Sequence, residues 1–207
     1  MAEFNDIGFN SSNDIGKKGE LFYLNYVKTR GFDYLDVSDD QYFQSIDVDF
    51  AVSTTRVHSF NDKSLNQIKK QVFNKQRQDP FILVDVKTDT VGGKTGNFYL
   101  EWIAHYKPGC FSITKADKWI YIYWNKEKDK PEKIWSIDVT GLRKAIVSGA
   151  VSLGHKTIEM LNGADFEIRE YRSQKAVYGN DPGMYAWIVP MEYLKIIGVA
   201  KELEINT

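Results

Sequence analysis

Apolar and polar positions follow two different periods along this chain. Between residues 17 and 30, Leu21, Tyr23, Leu24, Tyr26 and Val27 recur at three- and four-residue spacings, one apolar face at the helical period. Asp14 precedes the stretch and Gly31 follows Arg30, so a first helix is predicted over 17–30. Residues 1–14, rich in Asn, Ser and Asp, read as a loose lead-in. A period of two takes over next. Residues 34–37 predict a short strand, and residues 45–52 (SIDVDFAV) a longer one, with Ile46, Val48 and Phe50 alternating with Asp47, Asp49 and Ala51. The polar stretch 53–79 reads as loop with a helix around 65–73. FILVDVKTD at 81–89 has the composition of a buried strand, set between Pro80 and the Gly92-Gly93 pair. Further strands are predicted at 97–103, 118–124 and 134–139, with 126–133, which contains Pro131, as a charged hairpin tip. Thr140 is placed to cap a short helix over 140–148, and residues 185–197 form one more helix or strand. The succession predicts an α/β fold with a mixed central sheet flanked by helices, and no repeat interrupts it.

The length of 207 residues suits a single domain with a sizeable core. The 43% hydrophobic and 27% charged fractions exclude wholesale disorder. Cys110, the single cysteine, excludes an intramolecular disulfide and any Cys-based zinc cluster. No apolar run approaches the ~18 residues that span a bilayer. The polar, acidic MAEFNDIGFNSSND does not read as a signal peptide, so an intracellular protein with no membrane partner is expected.

Chemistry concentrates at three places. Side chains at i and i+2 of a strand share a face, so Asp85 and Lys87 project together from FILVDVKTD while Val84 and Val86 point the other way. The same reasoning puts Asp47 and Asp49 on one face of their own strand. Charges inside strands that otherwise look like core are expensive, several kcal/mol per ion, and such violations mark functional sites. If these strands are neighbours, their carboxylates and one ammonium converge, and clustered carboxylate oxygens suit a hard divalent cation such as Mg²⁺. Glu20 in the first helix is the third element.

Glu20, then Asp47/Asp49, then Asp85-Val86-Lys87 at the end of an apolar strand resembles the PD-(D/E)XK nuclease superfamily, and VDVKTD is similar to the D-x-K strands of RecB-type nuclease domains. The resemblance covers about residues 14–124, with 125–207 as a C-terminal α+β elaboration of the same domain. It implies a restriction-endonuclease-like core, Mg²⁺ or Mn²⁺, and hydrolysis of DNA phosphodiester bonds. Asp85 would then be a metal ligand, Lys87 the lysine that handles the attacking water, and Glu20 the helix glutamate. The proline that often precedes the first aspartate is absent: Ile46 precedes Asp47 and Val48 precedes Asp49. Either aspartate can be the ligand, and the Phe-Ala-Val after Asp49 favours Asp49. TGNFYLEW with Glu101, followed by Asp117, is similar to phage members of the superfamily, with Glu101 in a supporting position.

The net charge of −1 neither points to nor excludes a nucleic-acid partner, so its distribution matters more. Lys63, Lys69, Lys70, Lys75 and Arg77 lie in a stretch with no acidic residue, which fits a phosphate-tracking surface for DNA; Tyr106, Lys107 and Lys115 would extend it. His58, His105 and His155 lack zinc-protease spacing, Cys110 reads as a buried hydrophobe, and Gly92-Gly93-Lys94-Thr95 lacks the upstream glycine of a phosphate loop. Trp187, Ile188 and Tyr193 are candidates for a homodimer interface. The alternative to a nuclease is a catalytically silent nuclease-like module that binds DNA or protein. An RNA-splicing type of endonuclease would need a His-Tyr-Lys set that is not seen.

Overall fold

The structure, a computed structural model, describes residues 6–61, 64–76, 78–105, 107–152, 156–159, 165–172 and 183–205. Lys63, Arg77, Tyr106 and His155 lie outside the described residues. The first helix, α1, spans Asp6–Thr29, so it begins well before the predicted start at residue 17. Asn, Ser and Asp lower helix propensity by only tenths of a kcal/mol each, and once a helix is nucleated extending it is easy. Its buried stripe is Tyr23, Leu24 and Val27; Leu21, counted with the apolar face in sequence, points to solvent at 61% exposure.

The main sheet has six strands in the order β1-β2-β3-β6-β7-β11. These are β1 (Tyr34–Asp36), β2 (Phe50–Ser53), β3 (Phe81–Asp89), β6 (Lys118–Asn125), β7 (Lys130–Asp138) and β11 (Ala200–Leu203). All neighbours are antiparallel except β3 and β6, which run parallel with Asp85 opposite Trp119 and Lys87 opposite Tyr121. The sheet therefore continues past residue 124, and the C-terminal strand returns to pair with β7. A parallel pair needs a crossover, and this one is long. It holds α4 (Gly92–Thr95), β4 (Asn97–Ala104), β5 (Lys107–Pro108) and α5 (Cys110–Ile113).

β4 and β5 belong to a second, antiparallel sheet of order β5-β4-β10-β9-β8, with β8 (Lys156–Glu159), β9 (Asp165–Arg172) and β10 (Met184–Pro190). The stretch 185–197 is thus both strand and helix: β10 is followed directly by α7 (Met191–Ile196). Tyr193, a candidate for a dimer interface by sequence, is buried in the core.

Two cores cover the two faces of the main sheet. Val84, Val86, Ile120 and Ile122 pack with Tyr23, Leu24 and Val27 of α1. On the opposite face Leu83, Trp119, Tyr121 and Tyr123 pack with Phe98, Leu100, Ile168 and Val189 of the second sheet. Between β1 and β2 lies α2 (Gln41–Ser45), a helix the sequence pattern does not predict. Its end and the turn after it replace the first half of the strand predicted at 45–52: Asp47 sits in that turn at φ 53°, and extended pairing starts only at Phe50. Asp tolerates the left-handed region better than most residues, so the alternation of Ile46 to Val48 is a coincidence of a turn. α3 (Ser64–Phe73) lies close to its predicted span. α6 (Val139–Val147) follows β7 without a loop, so Asp138 takes the position before the helix and Thr140, the predicted cap, lies inside it.

One close approach fixes α1 on the sheet. A Cβ at Gly19 would lie 1.9 Å from Thr88 Oγ1 and 3.1 Å from its Cβ. Gly19→Ala raises helix propensity by about 1 kcal/mol, yet here it should destabilise the protein by about 1–3 kcal/mol through overpacking. Thr88→Ala in the same chain should recover most of that loss in urea unfolding. A stabilised single variant would show that α1 does not press on β3 at this point.

Candidate active site

The site is built on the central strand. β3 is paired on both sides, by β2 and β6, and Asp85 in its middle is only 2% exposed. Asp85 and Lys87 share the face that carries Leu83, as their spacing predicts, and the Lys87 Nζ lies 2.8 Å from Asp85 Oδ2. The same nitrogen donates to both carboxylate oxygens of Asp47, at 3.0 and 3.1 Å. The ammonium is thus held between two carboxylates from different segments. Asp85 Oδ2, buried, has the Lys87 ammonium 2.8 Å away as its charged partner.

Asp47 and Asp49 reach β3 from the turn that follows α2. Ile46, Asp47 and Val48 donate their N–H groups back to Phe43 and Gln44 carbonyls. From the other side, Thr114 Oγ1 donates to the Asp47 carbonyl at 3.1 Å and Lys115 N to the Ile46 carbonyl at 2.9 Å. Asp49 then aligns with β3: its N–H donates to the Val84 carbonyl, and its Oδ2 accepts from Val86 N at 2.8 Å. The shared strand face predicted for the two aspartates is therefore not formed, because Asp47 lies in the turn. Asp47 grips the lysine, and Asp49 grips the backbone beside Asp85.

Glu20 extends the stripe of Leu24 and Val27 by one helical turn, which carries it past the apolar core. It is half-buried beside Asp49, Asp36 and Lys87. Burial, then the charges of Asp49 and Asp36, raises its carboxyl above the ordinary range. Burial raises Asp49 as well, against the hydrogen bond from Val86. Asp85 is raised well above the carboxylate range by burial, against the pull of Lys87. For Lys87, burial lowers the ammonium, but Asp85 and Asp47 more than reverse this and leave it firmly protonated. Burial is the main reason these carboxyls hold their protons, and the crowding of Asp47, Asp49 and Asp85 around one ammonium adds to it.

The remaining predicted residues divide. Glu101 lines the same cavity as Lys87 and Asp47, where its Oε1 accepts from Cys110 N at 3.3 Å. Cys110 lines it too, and burial pushes its thiol up to about 12, so it is a poor nucleophile. Asp117 serves the scaffold, since its Oδ2 accepts from Leu83 N at 2.7 Å and ties the start of β6 to β3. Lys69 is paired with Asp40 at 2.5 Å, whereas Lys70 and Lys75 are exposed on and just beyond α3. Three features lie beyond the sequence pattern: Asp36 near Glu20, the Tyr121 hydroxyl that donates to Asp89 Oδ2 at 2.7 Å, and the cavity wall from the second sheet. Only the position of Asp36 at a strand end, on the chain just before the aspartate pair, is a signal for any of these.

Among the described residues, no three His, Cys, Asp or Glu side chains are grouped closely enough to hold a metal ion as they stand. The donors nevertheless fit a hard cation in kind, since the Asp49 and Asp85 carboxyls adjoin and both supply oxygen.

A raised carboxyl contributes stability that is present below its unfolded pKa, near 4.5 for Glu20, and lost as pH rises through the folded value. Glu20→Gln cannot lose it. The variant should therefore gain stability relative to wild type as pH rises above about 4.5, read as urea midpoints; a gap that stays constant with pH would contradict the burial of this charge. Comparison of the chain with protein-family models, with curated proteins and with solved structures found no match.

Proposed function

We propose that the protein is a metal-dependent DNA nuclease of the PD-(D/E)XK kind that hydrolyses phosphodiester bonds. The observation that carries the proposal is the meeting of Asp47, Asp49, Asp85 and Lys87 at one point of the central strand, from segments about forty residues apart in sequence. Strand β3 in the middle of a mixed sheet, antiparallel to β2 and parallel to β6, with α1 on one face, suits a restriction-endonuclease-like core.

Asp49 and Asp85 would hold Mg²⁺ or Mn²⁺, with Glu20 completing the set directly or through water. The excess negative charge of the cluster is what a divalent cation neutralises. When bound, the cation supplies Lewis-acid stabilisation of the phosphate and acidifies a bound water. Lys87 is held as an ammonium, so it orients water and stabilises phosphate oxygens by donating hydrogen bonds and does not act as a base. Asp47, bidentate on that ammonium, positions it. Lys70 and Lys75 offer phosphate contacts away from the cluster.

Cleavage of supercoiled, linear, single-stranded and junction DNA with Mg²⁺, Mn²⁺ or EDTA tests the proposal. Lys87→Ala and Asp85→Asn should each lower the rate about a hundredfold or more, with DNA binding largely kept. Asp47→Asn should lower it less than Asp49→Asn, because Asp47 acts through the lysine. Metal-dependent cutting that survives Lys87→Ala would remove the assignment.

A second reading, a nuclease-like module that binds DNA or protein without cutting, draws on the ion pair of Lys87 with Asp85, which fills the carboxylate cluster from within. Salt-sensitive binding with no cleavage in any metal would favour it.

A further inference from the structure

Lys87 and Asp47 also form part of the wall of a cavity of about 900 Å³, a size that encloses a whole small ligand. The second sheet supplies the opposite wall. Its register places Tyr99, Ile188 and Arg169 in one row across β4, β10 and β9, and Glu101, Ala186 and Tyr171 in the next. Residues opposite one another in antiparallel strands share a face. Tyr99, Glu101, Ile188, Arg169 and Tyr171 all line the cavity, while Phe98, Leu100, Val189 and Ile168 from the other face fill the core.

The chemistry of this wall is aromatic with polar edges. Tyr99 and Tyr171 meet edge to face, centroids 5.4 Å apart, and Tyr171 is 38% exposed. Three lining residues carry buried polar atoms with no hydrogen-bond partner, the Tyr99 hydroxyl, Trp119 Nε1 and Thr88 Oγ1, the last of which is turned to Gly19 of α1. Such groups are costly and point to a ligand that brings both a π face and hydrogen-bonding atoms. Among the charged lining residues, Asp47, Asp89 and Glu101 outnumber Lys87 and Arg169. That balance disfavours a free nucleotide with a multiply charged phosphate. A nucleotide within a strand, with one charge per phosphate, suits it better. A base stacked and paired within a duplex has both faces covered and offers none to these rings.

We infer that this cavity receives one unpaired nucleotide of a DNA strand, its base against Tyr99 and Tyr171 and its backbone passing Lys87. The preferred substrate class is then DNA that is single-stranded, or that extrudes a nucleotide, at the position cut. The cleavage preference rests on the nuclease reading; the binding does not.

The test titrates the full chain into oligonucleotides carrying 2-aminopurine, in EDTA and again in Ca²⁺, comparing a single strand, a duplex with one unpaired 2-aminopurine and a fully paired duplex. Unpaired probes should be quenched by stacking and bound about tenfold or more tighter than the paired one, the scale of one stacked base. Ile188→Trp, which fills the cavity, should remove that preference. If Ile188→Trp fails to fold by circular dichroism, Tyr171→Ala at the exposed edge should reduce both quenching and preference. Equal binding of all probes, or a preference untouched by the folded variants, overturns the inference. Cleavage in Mg²⁺ is scored separately. A protein that quenches selectively but cuts nothing sustains the cavity and ends the nuclease reading. One that cuts paired and unpaired DNA alike, without quenching, does the reverse.

Discussion

A carboxylate buried in the middle of the central strand sets the terms for the rest of this structure. Asp85 lies between two paired neighbours, so the strand cannot shift to bring it to water. Burying such an ion costs several kcal/mol even after relaxation. The chain offsets this in part with Lys87, two residues on and on the same face, and then commits further structure to holding that lysine. Asp47 grips it from a left-handed turn that is clamped by Phe43 and Gln44 on one side and by Thr114 and Lys115 on the other. Clusters of this kind, whose carboxyls hold protons above their ordinary range, are found most often where a fold carries a site.

The two faces of the sheet divide the work. On one, α1 is pressed onto β3 at Gly19 and Thr88, which delivers Glu20 to the cluster edge on a rigid element. On the other, Lys87 looks toward a second sheet that stands off enough to leave a cavity. The Tyr121 hydroxyl on Asp89 braces the strand at the point where the open side begins.

Strand β3 is legible in sequence because nothing competes with it: a run of β-branched and apolar residues between Pro80 and a glycine pair, buried on both faces. The shared face of Asp85 and Lys87 follows from that strand alone. The segment at 45–52 misleads because a turn can imitate alternation over three residues; only the left-handed φ of Asp47 separates the two, and no local pattern announces it. The convergence of the aspartates is nonetheless readable, since β2 pairs with β3 whichever conformation precedes it. The cavity is not legible. It depends on the register of three strands drawn from residues 97–104, 165–172 and 184–190, and strand pairing at that separation leaves no trace in composition.

The charge balance links the two ends of the site. Asp47, Asp49 and Asp85 with one lysine leave the cluster net negative, and Glu20 adds to it. A phosphate brought to such a cluster is repelled unless a cation intervenes. In the absence of a divalent ion, affinity for a polyanion must therefore come from elsewhere: from Lys70 and Lys75 on the outer surface, Arg169 at the cavity, and aromatic rings that attract bases without regard to charge. Stacking is insensitive to ionic strength, whereas the lysine contacts are screened within a Debye length of about 8–10 Å. Under the proposed function, binding that persists at high salt without metal would belong to the second sheet, and the part that disappears to the lysines.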